Sequence, residues 1–236
     1  MSNGEDLIRY IPWIQDEGTY KNIIKEIWRK ILDWGRKNMR DYPWRNTQNM
    51  YRILVAETML HRTKADQVKD TYEMFIQKFP NFESLVEAGP ENIKSELYSL
   101  GLQWRSDYLY RMAEEVVEKY DGVLPLTKIE LMDLPGVGNY IASAILCFGH
   151  NLPEPILDTN TVRVIGRVFG IKITDSSRRS KKFEKIMGDL VSCGEPRKFS
   201  LSLIDFAAMI CTSKNDPECA ICPLWNICRF YKEEIT

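Results

Sequence analysis

Three groups of residues in this chain have the types and spacing to do chemistry. The first is Leu134–Gly138 (LPGVG), followed at once by the small-residue run Asn139–Cys147 (NYIASAILC). Pro135 stops one helix, Gly136 and Gly138 permit positive φ and close backbone approach around Val137, and Asn139 opens a second helix. Unpaired N–H groups and the positive dipole end at such a helix start suit a phosphate. The second is Asp158 in LDTN, twenty residues after Gly138. A carboxylate near a phosphate site suggests chemistry on nucleic acid, although an Asp before Thr-x-x-Val is equally a helix N-cap. The third is Cys211, Cys219, Cys222 and Cys228, spaced C-x7-C-x2-C-x5-C. Four thiolates this close can wrap one tetrahedral zinc or one 4Fe–4S cluster.

The turn has the grammar of a helix–hairpin–helix, in which main-chain groups hold a phosphate without reading bases. The residues alone also permit an ordinary turn between two helices. They do not permit a dinucleotide fingerprint, because Ile141 stands at the third glycine position and the turn follows a helix rather than a strand.

The elements that must position these groups read as helices. Ile23, Ile24, Ile27, Trp28, Ile31 and Leu32 recur at helical spacing, as do Leu109, Met112, Ala113, Val116 and Val117, and Phe183, Ile186, Met187 and Leu190. No segment sustains period-two alternation, so the expected class is all-α. Breaks fall at Asp41–Trp44, Phe79–Asn81, Gly89–Pro90, Gly122–Pro125, Pro135–Gly138, Gly149–Pro155, Gly194–Pro196 and Asp216–Pro217. Thr174–Lys182 (TDSSRRSKK) reads as a surface loop. Cys147 and Cys193 read as packing residues in apolar helices.

With 236 residues the chain can bury a large core. Its 44% hydrophobic and 28% charged residues are ordinary for a globular protein, and no apolar run approaches a bilayer span. The first residues, MSNGEDLIRY, lack the pattern of a signal peptide, which places the protein in a reducing cytoplasm, where clustered cysteines serve metals rather than disulfides. A net charge of −1 leaves nucleic acid open, since only a local basic face must meet phosphates.

Taken together, Pro43–Arg45 (PWR), Leu54–Thr63 (LVAETMLHRT), Gly101–Leu102, LPGVG, Leu157–Val164 (LDTNTVRV), Asp205–Cys211 (DFAAMIC) and the cysteine loop resemble the helix–hairpin–helix DNA glycosylases, the superfamily of endonuclease III and adenine DNA glycosylase. The likeness spans about residues 20–230, and its finer features resemble the archaeal G:T-mismatch thymine-DNA glycosylases. The first cysteine gap is one residue longer than the family's usual gap, which implies a slightly enlarged loop.

The resemblance implies two helical domains with the active site in the cleft between them. Residues 1–18 would be an N-terminal extension, 41–150 a six-helix domain with the hairpin, and 19–40 plus 151–236 an iron–sulfur cluster domain. It also implies a monomer on double-stranded DNA, associated with the nucleoid, that flips its target nucleotide out of the stack. Asp158 would stabilise positive charge on the sugar or activate water. Tyr140 stands where bifunctional relatives carry a Schiff-base lysine and adenine glycosylases typically carry serine; the archaeal thymine group carries tyrosine, which implies a monofunctional enzyme. Glu57 matches a glutamate that protonates a purine leaving group or hydrogen-bonds a pyrimidine. Asn160 would position sugar or water beside Asp158.

By the same resemblance, His61 and Arg62 would contact the orphan base, arginine donating to guanine O6. Gln103 and Trp104 would form a second wedge. Gly136, Val137, Gly138 and Asn139 would hold a DNA phosphate. The four cysteines would hold a 4Fe–4S cluster, with zinc as the alternative, in a loop whose basic neighbours Lys214 and Arg229 dock on DNA. The expected activity is removal of thymine or uracil opposite guanine; the alternative is removal of adenine opposite guanine or 8-oxoguanine. No C-terminal extension of the kind that helps adenine enzymes recognise 8-oxoguanine is visible.

Overall fold

A computed structural model of the chain describes residues 8–101, 103–213 and 217–235. Among these residues the regular structure is helical, without strands. In chain order the helices are α1 (Glu17–Asn38), α2 (Met50–Leu60), α3 (Ala65–Lys78), α4 (Phe82–Leu97), α5 (Gln103–Tyr120), α6 (Lys128–Asp133), α7 (Asn139–His150), α8 (Thr159–Phe169), α9 (Lys181–Val191) and α10 (Pro196–Met209). They divide into two compact units, one of residues 41–151 and one of 1–40 with 152–236. None of them is long and apolar enough to cross a membrane.

The 41–151 unit holds α2 to α7. Asn49 caps α2 by accepting from Arg52 N at 3.0 Å. This helix is buried almost all round, from Tyr51 through Ile53–Glu57 to Met59, and packs against α3 and α7. Phe75, Phe82 and Leu85 lie fully inside, each worth about 1.5–3 kcal/mol of burial. The break expected at Gly89–Pro90 kinks α4 rather than ending it, because Gly89 takes φ 75° and the helix resumes beyond Pro90. The two arms of α4 then lie along α5.

The other unit joins the two ends of the chain. Asp16 caps α1 through Thr19 N, and Arg36 and Lys37 meet the negative end of its dipole. The predicted stripe Ile23, Ile24, Ile27, Ile31 and Leu32 is buried, whereas Trp28 is half-buried. α1 packs on α9 and α10, where Trp34 meets Phe206 edge-on at 5.5 Å. Just past α1, Arg40 binds the fully buried Asp205 of α10 through its backbone N at 2.7 Å and its Nε at 2.8 Å. From Ile8 onward the N-terminal extension packs on this unit: Ile11 and Ile14 are buried, and Trp13 donates to the Phe169 carbonyl at 3.0 Å.

Two expectations are corrected. Cys193 lies in the turn after α9 and is only half-buried, because the chain must reverse at Gly194 before α10; Cys147 is buried within α7. The polar run Thr174–Lys182 is not all loop, since Ser177–Arg179 form a 3-10 turn and Lys181 opens α9.

Candidate active site

Asp158 is the N-cap of α8, and the cap dictates its pose. Its Oδ1 accepts from Asn160 N at 2.9 Å and Thr161 N at 2.7 Å, while Thr161 Oγ1 accepts from Asp158 N at 3.0 Å. This reciprocal box satisfies otherwise orphaned donors and locks the side chain. The Asn160 amide donates to Asp158 Oδ2 at 2.8 Å. The carboxylate is thus anchored through Oδ1 and steered through Oδ2, and it stays half-buried. Cap and reactive carboxylate are compatible roles in this geometry.

Behind the cap stands Arg163, which the sequence reading did not single out. Its Nη2 donates to Asn160 Oδ1 at 3.1 Å and to the Ala207 carbonyl at 2.8 Å, and its Nε donates to the Cys211 carbonyl at 2.8 Å. Burial holds this guanidinium below its usual pKa despite nearby Cys211 and Asp158. One turn later Arg167 donates to Cys211 Sγ at 3.4 Å and to the Thr212 carbonyl at 2.7 Å, and lies over the Phe230 ring. α8 therefore presents Asp158 at its start and grips the cysteine loop with its two arginines.

In that loop, Cys211, Cys219 and Cys228 are all near enough to bear electrostatically on Cys222. Burial pushes the Cys222 thiol up to about 12 and the Cys228 thiol up to about 11. Opposing this, the Leu224 N–H points at Cys222, and those of Tyr231 and Phe230 point at Cys228. Convergent thiols receiving N–H donors and an arginine are a donor set that fits a thiolate-bound centre. Among the described residues no three His, Cys, Asp or Glu are drawn into a set that could hold a metal ion. Lys214, in the enlarged first gap, lies outside the described residues, whereas Arg229 is half-buried and pairs with Glu233.

The remaining candidates belong to the six-helix unit. α6 ends at Asp133, Val137 N donates to the Leu134 carbonyl at 3.1 Å, and α7 begins at Asn139. Only Gly136 is left-handed, with φ 79°. Gly138 is corrected: it is the extended N-cap of α7 at φ −92°, because a cap residue sits in the β region. No side chain caps α7, Gly138 and Asn139 are exposed, and Val137 is buried as the hairpin's anchor. A helix start in this state is suited to an external anion.

Tyr140 sits in the first turn of α7, half-buried, and Glu57 is buried at 7% exposure on the neighbouring α2. A buried carboxyl is costly unless partnered, and Glu57 is partnered. His61 ends α2 and Arg62 takes φ 66°; both are exposed. Arg105, also missed from sequence, is buried and fixes this corner, donating to the Thr58 carbonyl at 2.8 Å and contacting His61 Nδ1 at 2.7 Å. Since a guanidinium only donates, Nδ1 is the acceptor and the His61 proton sits on Nε2. Trp104 is 55% exposed and stacks on Arg105 at 4.6 Å. Gln103 opens α5; its side chain lies outside what the structure describes. Asp158, Asn160 and the cysteines thus share one unit, and Glu57, His61, Arg62, Trp104, Tyr140 and the hairpin share the other.

Residues 55–189 match the family described as "HhH-GPD superfamily base excision DNA repair protein". A thymine/uracil-DNA glycosylase of Pyrobaculum aerophilum is 36% identical over 212 residues, covering 86% of this chain and 90% of that protein. An adenine DNA glycosylase of Buchnera aphidicola is 35% identical over 212 residues, covering 86% of this chain and 58% of that protein. Among solved structures, a thermostable thymine-DNA glycosylase superposes with a TM-score of 0.83 at 33% identity, covering 92% of this chain and 99% of the other. A hairpin that starts a bare helix, a capped aspartate beyond it and this agreement along most of the chain lead to one conclusion: the chain belongs to the HhH-GPD superfamily of base excision DNA repair proteins.

Proposed function

We propose that the protein is a monofunctional DNA glycosylase that removes thymine or uracil opposite guanine and leaves an abasic site. Tyr140, in the first turn after the hairpin, carries the reading. A phenol there offers no amine to attack C1′, so the bond is cleaved by water rather than through a Schiff base. The name of the Pyrobaculum aerophilum relative supports thymine and uracil, and that of the superposed structure supports thymine.

In this mechanism the hairpin holds a phosphate by its backbone and the target nucleotide leaves the stack. Asp158, anchored by Oδ1 and steered by Asn160, places Oδ2 to stabilise the positive charge developing on the sugar or to orient water. Glu57 hydrogen-bonds the base edge. His61 and Arg62 donate to the orphan guanine, and Trp104 wedges the gap. Cys211, Cys219, Cys222 and Cys228 would hold a 4Fe–4S cluster, which would supply a covalent staple ordering a DNA-docking loop. Glu57 serves either reading, since in adenine removal, the alternative, it would protonate the purine instead.

The test uses duplexes carrying one G:T, G:U, A:G or A:8-oxoguanine pair, scored with and without hot alkali. Alkali-dependent cleavage at T or U is expected. Cleavage at A transfers the assignment to the second reading, and strand cleavage without alkali overturns the monofunctional mechanism.

A further inference from the structure

α5 carries a strip of exposed side chains of which the glycosylase reading uses only Trp104. Trp104, Tyr108 and Arg111 are spaced four and three residues apart and so share one face. Trp104 is 55% and Tyr108 41% exposed, and their rings meet edge-on at 6.1 Å. The exposed Arg111 guanidinium stands 5.2 Å from the Tyr108 ring centroid, and no carboxylate among the described residues pairs with it. The strip also touches the hairpin: a Cβ built on Gly136 would stand 3.1 Å from Tyr108 Cβ. The phosphate-binding turn and the aromatic strip are therefore one surface within one unit.

We propose that this face of α5 is a second DNA-backbone contact continuous with the hairpin, in which Arg111 holds a phosphate and Tyr108 braces both the guanidinium and the turn. The proposal rests on the reading of the protein as a DNA glycosylase. From Trp104 to Arg111 the helix rises about 10 Å, which matches about three steps of a duplex at 3.4 Å each. A strand held at the hairpin can thus be followed from the wedge to Arg111. Exposed rings lose little entropy on binding and accept a sugar face, while the ring holds the cation in place before DNA arrives. Asp107 and Glu115 stand four residues before and after Arg111, Glu115 paired with Lys119, so the phosphate contact on this face falls to Arg111 itself.

The experiment measures affinity of the full-length protein for an undamaged duplex across a salt series, for the parent, Arg111→Gln and Arg111→Lys. Loss of one phosphate contact should make the slope of log K against log salt shallower by about 0.9, and lysine should restore it. The single-turnover rate of base release at saturating Arg111→Gln enzyme should equal that of the parent. An unchanged slope in Arg111→Gln overturns the proposal. The two readings fail separately: a parent that releases neither T nor U overturns the assigned substrate, while an Arg111-dependent slope still supports the surface.

Discussion

Asp158→Asn separates the cap from the chemistry. Asparagine and aspartate are about equal as N-caps, so an amide oxygen can keep the bonds from Asn160 N and Thr161 N. The amide nitrogen then replaces Oδ2 and faces the Asn160 Nδ2 donor that stood at 2.8 Å. Asn160 cannot relieve this by flipping, because its oxygen is held by Arg163. The donor–donor contact costs about 1 kcal/mol, or roughly 2–4 °C in Tm. The chemical loss is larger. A carboxylate about 4 Å from a developing positive charge, at an effective dielectric constant of about 20, is worth about 4 kcal/mol. That is roughly a thousandfold in rate. Single-turnover base release with alkaline cleavage, paired with thermal melting, measures both. Asp158→Ala should lose the cap as well, costing about 1–2 kcal/mol. A folded Asp158→Asn protein that releases base within about tenfold of the parent rate refutes the electrostatic role.

Tyr140→Lys should gain a borohydride-trapped covalent adduct with abasic DNA, because an amine is then presented near C1′; without an adduct, residue 140 does not face the sugar. Gly136→Ala should weaken DNA binding and destabilise the hairpin by about 1–2 kcal/mol, since φ is 79° and the new methyl crowds Tyr108; equal affinity would separate the turn from phosphate binding. Arg163→Ala removes hydrogen bonds to Asn160, Ala207 and Cys211, and a loss of about 3 kcal/mol should lower Tm by roughly 6–12 °C and slow base release. An unchanged melt would show that these contacts are dispensable. Burial raises the Tyr72 hydroxyl from 10.0 to about 12, and raises Tyr51 further still. A raised acid of this kind stabilises the fold fully below pH 10 and loses that contribution as pH climbs through about 12. Denaturant melts across this window should show the decline, and a flat profile would contradict it.

Helical periodicity was legible because α1 and α9 each bury one stripe, so apolar residues recur at the helix period. α2 was harder, since it is buried nearly all round and includes Glu57, where a surface charge would otherwise be assumed. The turn at Gly136 could be anticipated from LPGVG, but which glycine takes positive φ is a matter of backbone geometry that the pair of glycines leaves open. Arg163 and Arg105 were invisible for a different reason. Their partners lie far off in sequence, Cys211 at 48 residues and His61 at 44, and no local spacing encodes such a meeting. Sequence motifs thus pointed to groups that could contact DNA, while the groups that aim them emerged only from tertiary structure.

The union of the two chain ends in one unit has a consequence for synthesis on the ribosome. Arg40 and its partner Asp205 are 165 residues apart. At about 5–20 residues per second, α1 waits roughly 8–30 seconds before α10 emerges to cover its apolar stripe. Meanwhile the six helices of residues 41–151 are contiguous and can collapse as soon as they leave the exit tunnel. The nascent chain therefore passes through a stage in which its middle is folded and its beginning is a bare amphipathic helix, the stage at which chaperones or aggregation would act on it.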